Sequence, residues 1–322
     1  MRQSSVFLSS FLLVVLVGLS QTPNQSTPYW AYAINPLSDT MPSKPDTSLH
    51  HVPRSDKAFT VAQTRDLFNP PDWHPSGHPP MPDVVAHGRK PDVYACGYCH
   101  LPNGEGRPEN ATLAGLPASY ILRQIADFRS GARKTSEPRH LPEVTMVSIA
   151  GKAADTEVQS AAQYFSEIHP KPWIRVVETA SVPQTHVAGW MLVPTLPPAA
   201  EPIGHRIIEI PENLGLTELR DDDSGFIAYV PEGSLQKGKS LVVTGDNGKT
   251  VPCAKCHGPG LRGSGNVPPI AGRSPSYIVR QLYDIRSGAR SGTLSQQMRR
   301  QVRNLELDDM IAIAAFVSAR KP

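Results

Sequence analysis

The stretch "DVYACGYCHLPNGEG", residues 92–106, separates Cys96 and Cys99 by two residues and puts His100 directly after the second cysteine. The chain of 322 residues has four cysteines in all, and the other two repeat the arrangement in "CAKCH", residues 253–257. Every cysteine therefore belongs to a Cys-x-x-Cys-His motif.

This motif has four chemical interpretations, of which one fits. An even cysteine count in an exported protein suggests disulfides, and a redox dithiol also uses Cys-x-x-Cys, but neither needs the histidine. A zinc ribbon brings its two pairs within about 15–20 residues, whereas Cys96 and Cys253 lie 157 positions apart. Cys-x-x-Cys-His is the attachment signature of c-type haem, in which two thiols form thioethers and the imidazole ligates the iron. We therefore predict two covalently bound haem c groups, attached at Cys96, Cys99, Cys253 and Cys256, with His100 and His257 as iron ligands.

The two motifs lie in an internal duplication. The segments "GLPASYILRQIADFRSGAR" (115–133) and "GRSPSYIVRQLYDIRSGAR" (272–290) share 12 of 19 positions at the same offset of 157 that superposes the motifs. Identity at that level is well above chance, and a unit of about 90 residues indicates two similar domains rather than a solenoid of short repeats.

Each unit has a helical pattern. Apolar residues of 275–287 recur at helical spacing, Ser119 and Ser276 are candidate N-caps, and Gly131 and Gly288 mark the helix exits. A short helix is predicted before each motif ("PDVVAHGR", "EGSLQKGKSLV") and a terminal helix closes each unit ("DTEVQSAAQYFSEI", "ELDDMIAIAAFVSA"). Helices wrapped around one haem form an all-α domain.

Both units resemble class I cytochrome c domains, and the tandem resembles the dihaem cytochrome c4 type. The shared residues are the Cys-x-x-Cys-His motif, Gly-x-x-x-Ser-Tyr-Ile-x-Arg-Gln, Ser-Gly-Ala-Arg, a methionine and a terminal helix with an aromatic residue. The resemblance implies an all-α fold of two tandem haem domains in edge-to-edge contact about a pseudo-twofold axis. We expect a signal peptide (1–20), a proline-rich segment (21–75), domain 1 (76–172), a connector with two short β-strands (173–232) and domain 2 (233–322).

The resemblance also implies the sixth iron ligand, which is the methionine after the Ser-Gly-Ala-Arg segment. Met146 and Met298 occupy these places, and the offset of 152 that pairs them also pairs Tyr164 with Phe316. His140 is a competing ligand for the first haem. For the second haem only Met310 competes, since no histidine follows His257, and its helical register indicates core packing instead.

The N-terminus and the charge restrict location and partners. An apolar run from Val6 to Leu19 follows Arg2, as in a secretory signal, and is too short for a comfortable membrane span. We expect a periplasmic or otherwise exported protein, attached to a membrane if this segment is retained. The formal net charge of +3 does not indicate nucleic-acid binding.

The predicted function is an electron carrier, not an enzyme with a catalytic residue. The cytochrome would pass single electrons between redox partner proteins, and a run of arginines between residues 258 and 304 predicts a partner with an acidic docking face. Two alternatives stay open: a dihaem redox enzyme of the peroxidase or thiosulfate-oxidising type, and a cytochrome subunit of a membrane dehydrogenase or oxidase complex.

Overall fold

The computed structural model describes residues 27–36 and 46–322. The predicted signal peptide, residues 1–20, lies outside the described residues. Within the described part, no helix is both long and apolar enough to cross a membrane.

The first repeat unit, residues 76–172, is helical around one apolar core. Its helices are α2 (Asp83–Ala86), α3 (Cys96–His100), α4 (Ala118–Arg129), α5 (Leu141–Lys152) and α6 (Asp155–Glu167). Helix α4 buries the stripe that contains Ile121 and Phe128, and α6 buries Ala162 and Phe165. These two faces meet in the core that also contains Val85 of α2. A short helix α1 (Val61–Thr64) and a 3-10 turn (Pro75–Gly77) precede the unit.

The second unit, residues 233–322, repeats this order. Its helices are α8 (Ser234–Thr244), α9 (Ala254–His257), α10 (Pro275–Ser287), α11 (Thr293–Val302) and α12 (Leu307–Ser318), with a 3-10 turn at Pro259–Leu261. Helices α8 and α12 cross closely at Gly238, where a Cβ atom would lie 2.0 Å from the Ala312 carbonyl oxygen. Only glycine allows this approach.

The connector carries more β-structure than the two strands predicted from its sequence. The predicted pair is present as β6 (Ile208–Pro211) and β7 (Phe226–Val230), which are antiparallel. Strand β1 (Ile174–Glu178) pairs in parallel with β7, in the register Val176 to Ala228. Two further antiparallel pairs join β2 (Ser181–Pro183) to β5 (Ala200–Pro202) and β3 (Thr185–Ala188) to β4 (Met191–Pro194).

The all-α expectation is therefore correct for the two units and wrong for the chain as a whole. Central strand β7 alternates buried and half-buried residues, because it packs between β1 and β6 and against the second unit. The connector also contains a short helix, α7 (Leu214–Glu218), which Asn213 caps through its side chain.

The predicted N-caps differ from those of the structure. Helix α10 is capped by Ser274, whose hydroxyl accepts from the Tyr277 amide, while Ser276 lies inside the helix. Proline at the first helical position explains this, since Pro275 sets the helix start one residue after Ser274. Helix α4 begins after Pro117 and has no side-chain cap, so Ser119 is also internal.

Part of the proline-rich N-terminal segment is buried. Trp30, Ala31 and Tyr32 are at most 4% exposed and belong to the core of the second unit. The Tyr32 hydroxyl donates to Asp284 Oδ1 at 2.6 Å. Trp73 is also buried, and its indole donates to the Leu219 carbonyl of the connector at 2.8 Å.

Candidate haem-binding sites

The first motif lies on one helical turn at the wall of a cavity. Helix α3 begins at Cys96 and ends at His100, so the two thiols and the imidazole share one turn. The cavity has an empty space of about 1290 Å³ including its opening to solvent, and its walls are mostly apolar side chains. Cys96, Cys99 and His100 all line this cavity, so a group attached at the motif would lie against these apolar side chains.

The His100 ring is held by the backbone. Its Nδ1 lies 2.8 Å from the Ala111 carbonyl oxygen, which fixes Nδ1 as the protonated nitrogen and leaves Nε2 to accept a metal. Burial lowers the pKa of His100 to about 4, so the ring is neutral at physiological pH. A neutral, oriented imidazole is what an iron ligand requires.

The thiols are not those of a redox dithiol. Burial raises the pKa of Cys96 to about 12 and that of Cys253 to about 11, and it also raises the pKa of Cys99. Reactive dithiols have lowered thiol pKa values, so this environment does not activate a thiolate. All four cysteines are free of disulfides. These observations fit covalent attachment of a haem to the thiols.

Two candidate distal ligands line the same cavity. Met146 lies within α5, and His140 is the residue that precedes this helix. His140 is 1% exposed, neither of its ring nitrogens has a hydrogen-bond partner among the described residues, and burial lowers its pKa to about 3. The geometry brings both predicted candidates to the cavity and does not choose between them. Gly292 holds the place of His140 before α11.

The second motif repeats the proximal arrangement. His257 ends α9, and its Nδ1 lies 2.9 Å from the Pro268 carbonyl oxygen, eleven residues later, as Ala111 is from His100. Cys253 and Met298 are both partly buried against the same apolar core. Met310 is 0% exposed in that core, as the helical register predicted.

The two units meet through equivalent residues. Arg133 donates to Gln124 Oε1 of its own unit at 2.8 Å and to Gln281 Oε1 of the other at 3.3 Å. Arg290 donates to Gln281 Oε1 at 2.7 Å and to Gln124 Oε1 at 2.7 Å. Two backbone bonds, Lys134 N to Ala289 O and Ser291 N to Ala132 O, are related in the same way. The contact therefore has the pseudo-twofold form that the resemblance to cytochrome c4 implies.

This contact is a buried region of positive charge. Arg133 and Arg290 are 7% and 6% exposed, and the Nε atom of each has no hydrogen-bond partner among the described residues. Burial alone would raise the pKa of Tyr120, but the guanidinium groups of Arg290 and Arg133 lower it. Haem carries two propionate groups, and buried guanidinium groups with spare donors are suited to carboxylates. The residues at the contact thus fit a haem edge.

The second unit also supports the loop that anchors His100. Arg273 donates to the carbonyl oxygens of Thr112 and Ala114 at 3.1 and 2.9 Å, and Arg280 donates to that of Pro108 at 2.6 Å. These bonds enclose Ala111, the acceptor of the His100 ring. Arg123 holds the repeat position of Arg280 in the first unit and is exposed, and the contact in the other direction is a bond from the Ser119 hydroxyl to Asn266 Oδ1 at 2.6 Å.

One contact at the first motif had no sequence signal. Arg220 of the connector stacks its guanidinium on the Tyr98 ring, 3.8 Å from the centroid, and donates to the Tyr98 carbonyl oxygen. Tyr98 is the second of the two residues between the cysteines of this motif. No motif marks Arg220, because the contact joins residues 122 positions apart.

Comparison with known proteins identifies thiosulfate dehydrogenase electron acceptors and cytochrome c4 as relatives. No protein-family model matches the chain. The chain is 27% identical over 207 residues to the thiosulfate dehydrogenase electron acceptor of Thiomonas intermedia, covering 63% of this chain and 67% of that protein. It is 27% identical over 233 residues to the protein of the same name from Stutzerimonas stutzeri, covering 71% and 80%. Cytochrome c4 of Azotobacter vinelandii is 36% identical over 77 residues, or 23% of this chain and 35% of that one.

Two solved structures align with part of the chain at TM-scores below 0.5. Thiosulfate dehydrogenase from Marichromatium purpuratum aligns with a TM-score of 0.48 and 23% identity over 74% of this chain, which spans 39% of that chain. Cytochrome c4 of Acidithiobacillus ferrooxidans aligns with a TM-score of 0.46 and 20% identity, covering 70% and 98%.

The sequence relatives are electron-transfer cytochromes, and cytochromes c hold haem c through covalent bonds. The chain is therefore a homologue of the thiosulfate dehydrogenase electron acceptors and of cytochrome c4, two kinds of dihaem class I cytochrome.

Proposed function

We propose that the chain is an exported dihaem cytochrome that carries single electrons between redox partner proteins. The observation that carries the proposal is the repeated motif with a backbone-anchored histidine, at His100 and again at His257. Haem, when bound, supplies a one-electron iron couple.

In this proposal the protein residues hold that couple in place. Cys96 and Cys99 attach the first haem and Cys253 and Cys256 the second, while His100 and His257 ligate iron through Nε2. Met146 and Met298 are the distal ligands that we favour, because they occupy equivalent places in α5 and α11. A filled sixth position leaves no open site for oxygen or peroxide chemistry.

The arginine pair sets the proposed contact between the haems. The Nε atoms of Arg133 and Arg290 donate no hydrogen bond to a described residue, although Glu143 Oε1 lies 3.9 Å from that of Arg133. Haem propionates would accept from these donors in the buried interface. The edges of the two haems would then approach across the pseudo-twofold contact. Electrons would pass between the units through this contact.

The proposed electron donor is a thiosulfate-oxidising dehydrogenase. Two relatives at 27% identity bear the name of its electron acceptor, and they cover more than three fifths of this chain. The alternative in which this chain itself oxidises thiosulfate needs a displaceable distal ligand. His140 beside Met146 is where such an exchange would take place.

The proposed docking face lies on α11. Of the arginines in the basic run, Arg273, Arg280 and Arg290 are buried and bonded at the contact between the units. Arg299, Arg300 and Arg303, which follow Met298, are exposed. A partner with an acidic face would meet these three.

The proposal is tested by haem content and by reduction. The purified exported protein should exceed its processed polypeptide mass by two haems that acid–acetone does not extract, and a Cys253→Ser/Cys256→Ser variant should exceed it by one. A thiosulfate dehydrogenase should reduce the intact protein rapidly when thiosulfate is added, whereas thiosulfate alone should not. A colourless zinc protein would overturn the haem proposal. Reduction by thiosulfate without the dehydrogenase would favour the enzyme alternative.

A further inference from the structure

A histidine and two aspartates form a buried cluster away from both haem-binding motifs. His74 belongs to the N-terminal segment, while Asp221 and Asp222 follow α7 in the connector. One ligand atom from each residue lies within 4.8 Å of the others. His74 Nε2 is 2.9 Å from Asp221 Oδ1 and 3.9 Å from Asp222 Oδ1, and the side chains are 11%, 4% and 3% exposed.

The buried carboxylate of Asp222 has one oxygen without a hydrogen-bond donor among the described residues. Its Oδ1 is buried and accepts no hydrogen bond from any described residue, although it faces His74 across the cluster. Burial raises the pKa of Asp222 to about 6. A buried carboxylate oxygen without a partner is rare and costly, and an ion is one of the groups that satisfies it.

The net negative charge of the cluster is suited to one divalent cation. Asp223 Oδ2 also lies 3.7 Å from His74 Nε2, but the Asp223 side chain is 24% exposed and is paired with Arg54 at 2.9 Å. Asp221 and Asp222 retain two negative charges beside a single imidazole, which a doubly charged cation balances. A cavity lined by Glu105, Glu212, Asp222 and Asp223 opens beside them and offers a polar entry path.

The spacing of the ligand atoms suits a transition metal. With metal–ligand bonds of about 2.0–2.2 Å, neighbouring ligand atoms stand roughly 2.9 to 3.5 Å apart for octahedral to tetrahedral geometry. The distances from His74 Nε2, 2.9 and 3.9 Å, bracket that range and need only small side-chain adjustments. Imidazole with carboxylates favours zinc or a similar metal over calcium or magnesium.

We propose that His74, Asp221 and Asp222 bind one divalent transition-metal ion, with water completing its shell. The ion would tie the N-terminal segment to the connector, next to the bond from the Trp73 indole to the Leu219 carbonyl. Arg220, which stacks on Tyr98 of the first motif, lies between Leu219 and Asp221. The ion would therefore have a structural role, because it would hold the connector against α3, the helix of the first haem-attachment motif.

Calorimetric titration with Zn²⁺ tests the site in protein that carries its covalent haem, so that the cysteines are not available as ligands. We expect one ion per chain, removable by a chelator, and a higher midpoint of thermal unfolding when zinc is present. His74→Gln and Asp222→Asn should each weaken zinc binding by at least about tenfold, since loss of a supporting residue alone costs 10–100-fold.

Two matched variants serve as controls. Glu218→Gln removes one exposed negative charge just before the acidic run, and His51→Gln removes an exposed histidine of the N-terminal segment; both should bind zinc like the parent protein. The proposal is overturned if no ion binds, if His74→Gln and Asp222→Asn bind zinc normally, or if Ca²⁺ binds there and zinc does not. If both variants fail to fold, Asp221→Asn in place of Asp222→Asn gives the same comparison.

Discussion

Arg133 and Arg290 share the same two acceptors: each guanidinium bonds both the glutamine of its own unit, Gln124 or Gln281, and the glutamine of the other. Residues at equivalent positions of the two sequence repeats therefore form the tertiary contact between the units. Two like charges are buried side by side at this contact; the described hydrogen bonds of their Nη atoms go to uncharged groups, and the Glu143 carboxylate lies 3.9 Å from Arg133 Nε. The stability of the pair therefore depends on shared acceptors and on whatever anion reaches the interface.

The first prediction concerns this sharing. Arg133→Gln and Arg290→Gln should each lower the free energy of unfolding by about 1.5–3 kcal/mol, the range for hydrogen bonds to a charged group. The double variant should lose less than the sum, because removing one guanidinium frees acceptors and relieves like-charge repulsion. Denaturant unfolding of the four proteins measures the coupling. Arg123→Gln, at an exposed position of α4, should have little effect, and strictly additive losses would contradict the sharing.

The second prediction concerns support of the first site by the second unit. Arg273→Gln removes two donors from the loop that contains Ala111, so the His100 ring should lose its fixed orientation. We expect a shifted potential and an altered spectrum for the first haem and an unchanged second haem. Redox titration followed by absorbance separates the two. Arg123→Gln is the control, since it lies in the first unit at the repeat position of Arg280. A change confined to the second haem would refute this support.

The third prediction concerns the distal ligands. Met146→Ala and Met298→Ala should each keep both haems attached, lower the potential of the haem concerned and open it to carbon monoxide, because methionine opposite histidine raises the potential. Visible spectra with and without carbon monoxide report this. His140→Ala is the matched test at the first site. If it changes the spectrum and Met146→Ala does not, His140 is the ligand.

The fourth prediction concerns docking at α11. Reversing the charge of Arg299, Arg300 and Arg303 to glutamate should slow electron exchange with an acidic partner by about tenfold or more at low salt. The parent rate should also fall as salt is raised, since the Debye length shortens from about 10 Å at 0.1 M to about 3 Å at 1 M. Stopped-flow mixing measures both effects. Reversal of Lys57, Arg65 and Arg123, which are exposed elsewhere, changes the net charge equally and should leave the rate nearly intact. Equal slowing in both triple variants would argue against a docking face on α11.

The fifth prediction concerns Glu209, a buried carboxylate of β6. Burial raises its pKa above the ordinary 4.5, although Ser274 and Ser276 donate to Oε2. The unfolded chain therefore loses this proton at lower pH than the folded protein, so the stabilisation is complete below pH 4.5 and is lost as pH rises through the folded-state pKa. The stability of Glu209→Gln relative to the parent should accordingly increase between pH 4.5 and pH 8. Denaturant unfolding at both values measures this, and a difference independent of pH would show that Glu209 is not titrating.

The sequence by itself determined the features that depend on local spacing. Two Cys-x-x-Cys-His motifs specify one helical turn with three reactive groups, and α3 and the Cys253–His257 segment have that form because the spacing is short-range. The duplication predicted equivalent helices in the two units and the matching positions of Met146 and Met298, whereas helices α5 and α11 around these methionines were not predicted. Apolar runs in the connector predicted the strands β6 and β7. Periodicity carries this information without knowledge of the fold.

Only the tertiary structure decided which distant residues meet. Arg220 reaches Tyr98, Tyr32 enters the core of the second unit, and Arg273 holds the loop that anchors His100. The parallel pairing of β1 with β7 likewise joins segments about 50 residues apart. These contacts have no periodic signature, because they follow from burial of apolar surface and satisfaction of buried donors across the whole chain. Local pattern therefore indicated what each unit is, and long-range packing decided how the two units and the segments around them fit together.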